Sequence, residues 1–135
     1  MSGKSWILVG SLCAALSVIF GAFAAHALPG YLESHESDPQ MVVKRLDNLD
    51  MGARYQMYHA LGLVMIGLLQ LHIPSRVGQL AAWCLLIGII LFSGSLYAYA
   101  LTGIRKFGMI TPLGGISYIV GWVVLAVAVW RSPSN

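Results

Sequence analysis

Four long apolar runs constrain this sequence to a membrane protein. About twenty helical residues, rising 1.5 Å each, cross a hydrocarbon layer roughly 30 Å thick. An α-helix can do so because it satisfies its backbone hydrogen bonds internally, where lipid offers none. The predicted spans are residues 6–28, 55–73, 79–101 and 107–130.

The composition excludes the common soluble classes. Of the 135 residues, 58% are hydrophobic and 10% charged, against roughly 25% charged in soluble domains. This argues against a soluble enzyme, a nucleic-acid binder and a secreted disulfide scaffold. Cys13 and Cys84 lie inside apolar runs without a metal-binding spacing, so we expect buried thiols, no metal and no cofactor.

The first run also resembles a signal peptide, because Lys4 precedes it and alanines crowd its end. The apolar region of a signal peptide usually has 7–15 residues, and this run is longer. We therefore expect a retained anchor.

The connection at residues 29–54 is the one wet segment of any length. Asp38 followed by Pro39 is typical of a helix start, and an apolar face follows, which predicts an amphipathic interfacial helix. The alternative is a solvated loop with one helical turn. The acidic residues are Glu33, Glu36, Asp38, Asp47 and Asp50, and the apolar face is Val42, Leu46, Leu49 and Ala53.

Two short connections between the later runs favour neighbouring helices that alternate in direction. We predict an all-α membrane protein: a four-transmembrane-helix up-down bundle with an amphipathic interfacial segment between helices 1 and 2, in one integral membrane domain over residues 1–135. Positive charges favour the side with the long connection, which predicts that it is cytoplasmic and both termini are outside. That side has Lys44, Arg45, Arg54, Arg105 and Lys106, and the other has Lys4, Arg76 and Arg131.

Polar residues concentrate at the membrane face that this order assigns to the ends of spans one and three and the starts of spans two and four. His26 should lie at the depth of His59, and an ionisable group within a span is a candidate for function. The alternative is that these side chains only tie helices together by hydrogen bonds. The candidate binding residues are His26, Arg54, Tyr55, Gln56, His59, Ser93, Ser95, Tyr97 and Thr111.

Small residues at helical spacing indicate close helix packing, because lipid provides no hydrophobic drive for association. Gly114 and Gly115 have a second interpretation, in which they leave a helix start open to an anionic group. The predicted packing residues are Ser17, Gly21, Ala25, Gly94, Gly114, Gly115, Ser117 and Gly121.

Four motifs carry a family resemblance: GAFAAH, YQMYH, FSGSLYAYAL and TPLGG followed by GW. In this order they resemble the uncharacterised bacterial inner-membrane protein family that includes YgdD. The resemblance implies a small multi-pass protein of the bacterial inner membrane and supplies no activity. The matching positions are Gly21, His26, Tyr55, Gln56, His59, Phe92, Ser93, Gly94, Ser95, Tyr97, Thr111, Pro112, Gly114 and Gly115.

The leading hypothesis is a non-enzymatic binding or accessory protein with a polar site at one membrane face. Its expected partners are membrane lipid and another membrane protein or a second copy, not nucleic acid. The alternative is a small permease or proton-coupled carrier using His26 and His59. A third hypothesis has these histidines holding a haem. An enzyme is not expected, because the carboxylates are confined to one connection and no nucleophile-elbow sequence occurs.

Overall fold

The computed structural model describes residues 1–131, and every regular element in that range is helical. The predicted polar tail at residues 132–135 lies outside the described residues. The elements are α1 (Gly3–His26), α2 (Leu28–His35), α3 (Pro39–His72), α4 (Arg76–Gly88), a π-helical turn (Ile89–Ser93), α5 (Gly94–Thr102), a 3₁₀ helix (Arg105–Met109) and α6 (Thr111–Trp130).

Three segments within residues 1–131 are long and apolar enough to cross a membrane. They are Gly3–His26, Arg76–Thr102 and Arg105–Trp130, which correspond to the first, third and fourth predicted spans. The second predicted span forms the C-terminal part of α3. That part is less apolar, since it includes Gln56, His59 and Gln70.

The wet connection is largely helical. The Asp38 carboxylate accepts a hydrogen bond from the Gln40 backbone N–H at 2.9 Å, and Pro39 occupies the first helical position. The helix then continues through Gly52 to His72, so the loop alternative is wrong. The preceding helix α2 was not predicted.

The apolar face of this segment packs inside the protein. Leu49 and Ala53 are buried in a cluster with Leu32 of α2 and with Tyr97 and Ala100 of α5. This differs from the predicted interfacial helix, whose apolar face would lie on lipid. The same sequence pattern arises here because α2 folds back over α3 and covers that face.

Helices α1 and α3 lie side by side in opposite directions, in one consistent register. In each of three close contacts the two residue numbers add to 70, which extends the pairing along most of α1. The contacts are Gly3 with Gly67, Gly10 with Ala60, and the Ser17 hydroxyl with the Ala53 carbonyl at 2.7 Å.

The α1 contact stripe is therefore Gly3, Gly10 and Ser17, which recur every seventh residue. Of the predicted stripe only Ser17 takes part: a Cβ on Gly21 would meet nothing within 4 Å, and Ala25 is exposed. Residues four apart and residues seven apart both share one face of a helix. Because α1 and α3 cross at an angle, the residues that stay in contact with α3 are those spaced seven apart.

Helix α6 packs antiparallel to the segment formed by α4, the π-helical turn and α5. Gly114 faces the Phe92 backbone, Gly121 faces Leu85, and the Ser117 hydroxyl donates to the Cys84 carbonyl at 2.7 Å. Gly115 lies at the margin of this contact, about van der Waals distance from the Phe92 ring, and a Cβ on Gly94 would meet nothing within 4 Å.

Candidate functional site

Gln56 joins three helices at the centre of the predicted polar region. Its amide nitrogen donates to the Cys13 carbonyl of α1 at 2.8 Å, and its amide oxygen accepts from the Tyr97 hydroxyl of α5 at 2.9 Å. Both side chains are buried. Because the amide nitrogen and the amide oxygen each have a partner within the protein, this group ties the three helices together.

His59 is buried in an aromatic cluster. Its ring stacks on Tyr118 of α6 with the centroids 3.3 Å apart, and its Nδ1–H donates to the Tyr55 carbonyl at 2.6 Å. That bond places a proton on Nδ1, because a carbonyl oxygen can only accept. Ser93, fully buried, lies 3.4 Å from the Tyr118 hydroxyl.

Ser95 and Thr111 join α5 to the start of α6. Their hydroxyl oxygens lie 2.8 Å apart, and the Ser95 hydroxyl also lies 2.9 Å from the Phe92 carbonyl. Arg54 and Tyr55 are exposed, and Arg54 pairs with Asp50 at 2.6 Å. Most of the predicted site residues are therefore held by hydrogen bonds within the protein, while Arg54 and Tyr55 are exposed and Tyr55 stacks on the Phe92 ring.

The structure does not bring His26 and His59 together. The α1–α3 register sets His26 level with Lys44, fifteen residues along α3 from His59, which is about 22 Å at 1.5 Å per residue. The His26 side chain is exposed and has no hydrogen-bond or ring partner within residues 1–131. The equal depth predicted for them was wrong because α3 begins at Pro39, well before the assumed start of the second span, and its early turns pair with the end of α1.

Arg45 was not singled out from the sequence, yet it organises one end of the molecule. Its guanidinium donates to the last carbonyls of α5, at 2.8 Å from both the Ala100 and Leu101 oxygens, and lies 3.4 Å from the Glu36 carboxylate. A cation at a helix C-terminus is favoured by the unpaired carbonyls and the helix dipole. A buried arginine could not have been inferred from its sequence position among charged residues.

We call this region the polar end: residues 28–50, which comprise α2, the short connection after it and the first turns of α3, together with the last turn of α5 and the 3₁₀ helix. All five acidic residues and four of the eight basic ones belong to it. Its parts are held together by Arg45 and by the apolar cluster around Leu49.

A cleft of about 160 Å³ opens at the polar end between α3 and the 3₁₀ helix. The Tyr99 side chain is 4% exposed, and its buried hydroxyl has no hydrogen-bond partner within residues 1–131. An unpartnered buried hydroxyl costs roughly 1–3 kcal/mol. The lining residues are Lys44, Asn48, Tyr99, Arg105 and Gly108.

Within the part of the chain that the structure describes, no carboxylate pairs with the two cations of the cleft. Lys44 has no ion pair among the described residues, and the hydrogen bond of the Arg105 guanidinium there is to the Met41 sulfur, at 3.9 Å. The Asn48 amide donates to the Lys44 carbonyl at 2.6 Å and retains a second N–H. Amide, phenol, ammonium and guanidinium are all donors, so the cleft has the chemistry to receive an anion.

No group of three His, Cys, Asp or Glu side chains within residues 1–131 is placed to hold a metal ion. The chemistry that the described residues offer is hydrogen bonding and charge. The sequence signal for the cleft was weak, since Lys44, Asn48, Tyr99 and Arg105 are dispersed over more than sixty positions.

Comparison with known proteins identifies the family. The profile of the family described as "Protein of unknown function (DUF423)" matches residues 20–115. A UPF0382 membrane protein of Staphylococcus haemolyticus is 43% identical over 128 residues, covering 95% of this chain and 97% of its own.

More distant bacteria have similar proteins. The UPF0382 membrane protein YwdK of Bacillus subtilis is 40% identical, covering 93% of this chain and 95% of its own, and one of Haemophilus influenzae is 39% identical, covering 94% and 91%. No solved structure matches the chain. These relationships confirm the resemblance at the level of the family, and the chain belongs to the uncharacterised DUF423 family, whose relatives here are named UPF0382 membrane proteins.

Proposed function

We propose that this chain is a four-span, multi-pass membrane protein of the bacterial inner membrane that acts without catalysis, as a binding or accessory protein, through its polar end. The observation that carries the proposal is the contrast between the interior and the polar end. Interior polar side chains such as Gln56 and Tyr97 bond to each other. Within residues 1–131, by contrast, the Tyr99 hydroxyl has no hydrogen-bond partner and neither cation of the cleft pairs with a carboxylate.

The fourth span in this proposal is the part of α3 that packs against α1. Residues 53–67 of α3 lie beside residues 3–17 of a candidate span, so the two share the same depth. The polar groups of α3 turn inward, as the buried Gln56 and His59 do. Its outward side chains are apolar and suited to lipid: Leu61, Met65, Leu68 and Leu69 are each 41–50% exposed.

Four spans alternating in direction would leave both termini on one side, opposite the polar end. Counting Arg54, which follows the polar end on α3, five of the eight Lys and Arg residues lie on that side, and this excess favours the cytoplasm for the polar end. Reporter fusions that are active on only one side of the membrane test this. Equal responses from N-terminal and C-terminal fusions support four spans, and opposite responses overturn them.

No observation favours the carrier alternative. A proton-coupled path through His26 and His59 would have to cross about 22 Å between them, and the His59 ring is covered by Tyr118.

Purification in mild detergent followed by native mass spectrometry tests the binding role. We expect the chain to retain a lipid or a partner at a fixed ratio. His59→Phe, an interior change that keeps an aromatic ring against Tyr118, serves as the control and should not alter that ratio. A ligand-free monomer under all mild conditions would overturn the proposal.

A further inference from the structure

We infer that the cleft of the polar end binds a phosphate group, with Lys44 and Arg105 supplying charge and the Asn48 amide and the Tyr99 hydroxyl supplying hydrogen bonds. This inference rests on the proposed binding role and names its ligand chemistry. The phosphate belongs to a lipid headgroup or to a free phosphate compound, and both present the same anionic oxygens.

The donor set fits a phosphate in charge and in number. The planar guanidinium of Arg105 can donate two parallel hydrogen bonds to phosphate oxygens, and the ammonium of Lys44 adds a compact charge. The Tyr99 hydroxyl and the free N–H of Asn48 are uncharged donors. A phosphate would give the Tyr99 hydroxyl the partner it lacks within residues 1–131.

None of the nearby acidic side chains lines the cleft. Asp47 lies one turn from Lys44 on α3 but is outside the lining of the cleft; it lines an adjacent groove, which Lys44 also borders. Asp50 pairs with Arg54, and Glu36 pairs with the buried Arg45. The lining therefore has a local excess of positive charge, although the polar end as a whole has mixed signs.

The cleft also lies where phosphates occur in a membrane. One candidate span ends at Thr102 and the next begins at Arg105, so Tyr99 and Arg105 are at the turn between two spans. Such turns lie at the boundary between hydrocarbon and headgroups. The volume of about 160 Å³ is several times the roughly 30 Å³ that one water occupies, which is enough space for a phosphate group.

The test uses the full chain in neutral detergent and measures the midpoint of thermal unfolding, which rises when a ligand binds the folded state. One arm adds sodium phosphate, with sodium chloride of equal ionic strength as its reference. The other adds phosphatidylglycerol to the micelles, with a neutral diacylglycerol as its reference. A shift in both arms indicates that the cleft binds phosphate whether it is free or part of a lipid. A shift with phosphatidylglycerol alone indicates that the ligand is a lipid headgroup.

Single substitutions locate the site. Lys44→Gln and Arg105→Gln should each weaken binding about tenfold or more, because each removes a charged donor. Lys106→Gln is the matched control: it removes the same charge next to Arg105 but outside the lining, and we expect less than a threefold change. All three side chains are exposed, so the variants should fold.

Tyr99→Phe gives an independent readout. Without ligand it should be at least as stable as the wild type, because it removes a buried hydroxyl that has no partner. With ligand, the midpoint of Tyr99→Phe should rise less than that of the wild type. The difference between the two midpoints should therefore become smaller or change sign.

The inference is overturned by the absence of a shift in both arms, or by equal losses in Lys106→Gln and Arg105→Gln. If a partner or lipid still copurifies at a fixed ratio but is insensitive to Lys44, Tyr99 and Arg105, the phosphate site fails while the binding role stands. If nothing is retained and nothing shifts, both fail.

Discussion

Replacing Gly10 by alanine should force α1 and α3 apart. A Cβ at Gly10 would lie 2.7 Å from the Ala60 carbonyl oxygen and 2.8 Å from a Val64 methyl carbon, whereas ordinary contacts begin at 3.4 Å. Helix α1 must therefore move by about 0.7 Å, the difference between the first and last of these distances. The carbonyl belongs to the α3 backbone and cannot turn aside as a side chain would.

The expected loss is about 1–3 kcal/mol of unfolding free energy, the usual cost of overpacking a tight contact. The same movement stretches the 2.7 Å bond between the Ser17 hydroxyl and the Ala53 carbonyl beyond the usual range for such bonds. Interhelical hydrogen bonds in membranes average roughly 0.6 kcal/mol, which adds a smaller term to the loss.

Unfolding by sodium dodecyl sulfate from mild detergent, followed by circular dichroism, measures this change. Gly21→Ala is the matched control on the same helix, because its Cβ would meet nothing within 4 Å. It should be neutral or slightly stabilising, since glycine in a helix interior costs roughly 0.5–1 kcal/mol relative to alanine. Equal effects of the two substitutions would refute the α1–α3 register.

Three further predictions use the same unfolding assay. Tyr97→Phe should cost roughly 1–3 kcal/mol, because it leaves the buried Gln56 amide oxygen without its donor; no loss would mean that the hydrogen bond is absent. Arg45→Gln should cost roughly 3 kcal/mol or more, because it breaks a partly buried ion pair and leaves the last carbonyls of α5 without their donor. Arg54→Gln, at an exposed position, should change stability by less than about 1 kcal/mol, and similar losses in the two variants would contradict the capping role. His59→Phe should keep the fold and cost less than His59→Ala, because the ring fills space against Tyr118; a larger loss for His59→Phe would contradict that role.

The helical class and the apolar runs could be predicted from the sequence because lipid leaves few alternatives. The helix start at Asp38 could be predicted because an N-cap and a proline act locally. Which residues make the contacts between helices was harder to predict from the sequence. The stripe Ser17, Gly21 and Ala25 has good helical spacing, but only the partner surface decides which small residues it uses, and α3 selects Gly3 and Gly10 instead.

The predicted closeness of His26 and His59 failed for a related reason. The prediction that His26 lies near His59 assumed that the second helix begins at residue 55. Helix α3 begins at Pro39 and has already made about four turns by that point. A shift of the start by sixteen residues, from 55 to 39, moves the facing residues by about 24 Å. The cleft around Tyr99 was beyond prediction, because whether a buried hydroxyl has a partner depends on side chains from three separate elements.

The α1–α3 register is measured most directly by electron paramagnetic resonance distances between paired spin labels. The native thiols can be removed by Cys13→Ala and Cys84→Ala. These substitutions keep the backbone carbonyls of residues 13 and 84, which accept the hydrogen bonds from Gln56 and Ser117. Labels at the exposed positions of His26, Lys44 and Tyr58 then give two distances. We expect the pair at 26 and 58 to be farther apart than the pair at 26 and 44 by on the order of 10 Å or more, since positions 44 and 58 lie about 21 Å apart along α3. If the distance between positions 26 and 58 were shorter than that between 26 and 44, the register would be contradicted and His26 would lie near His59.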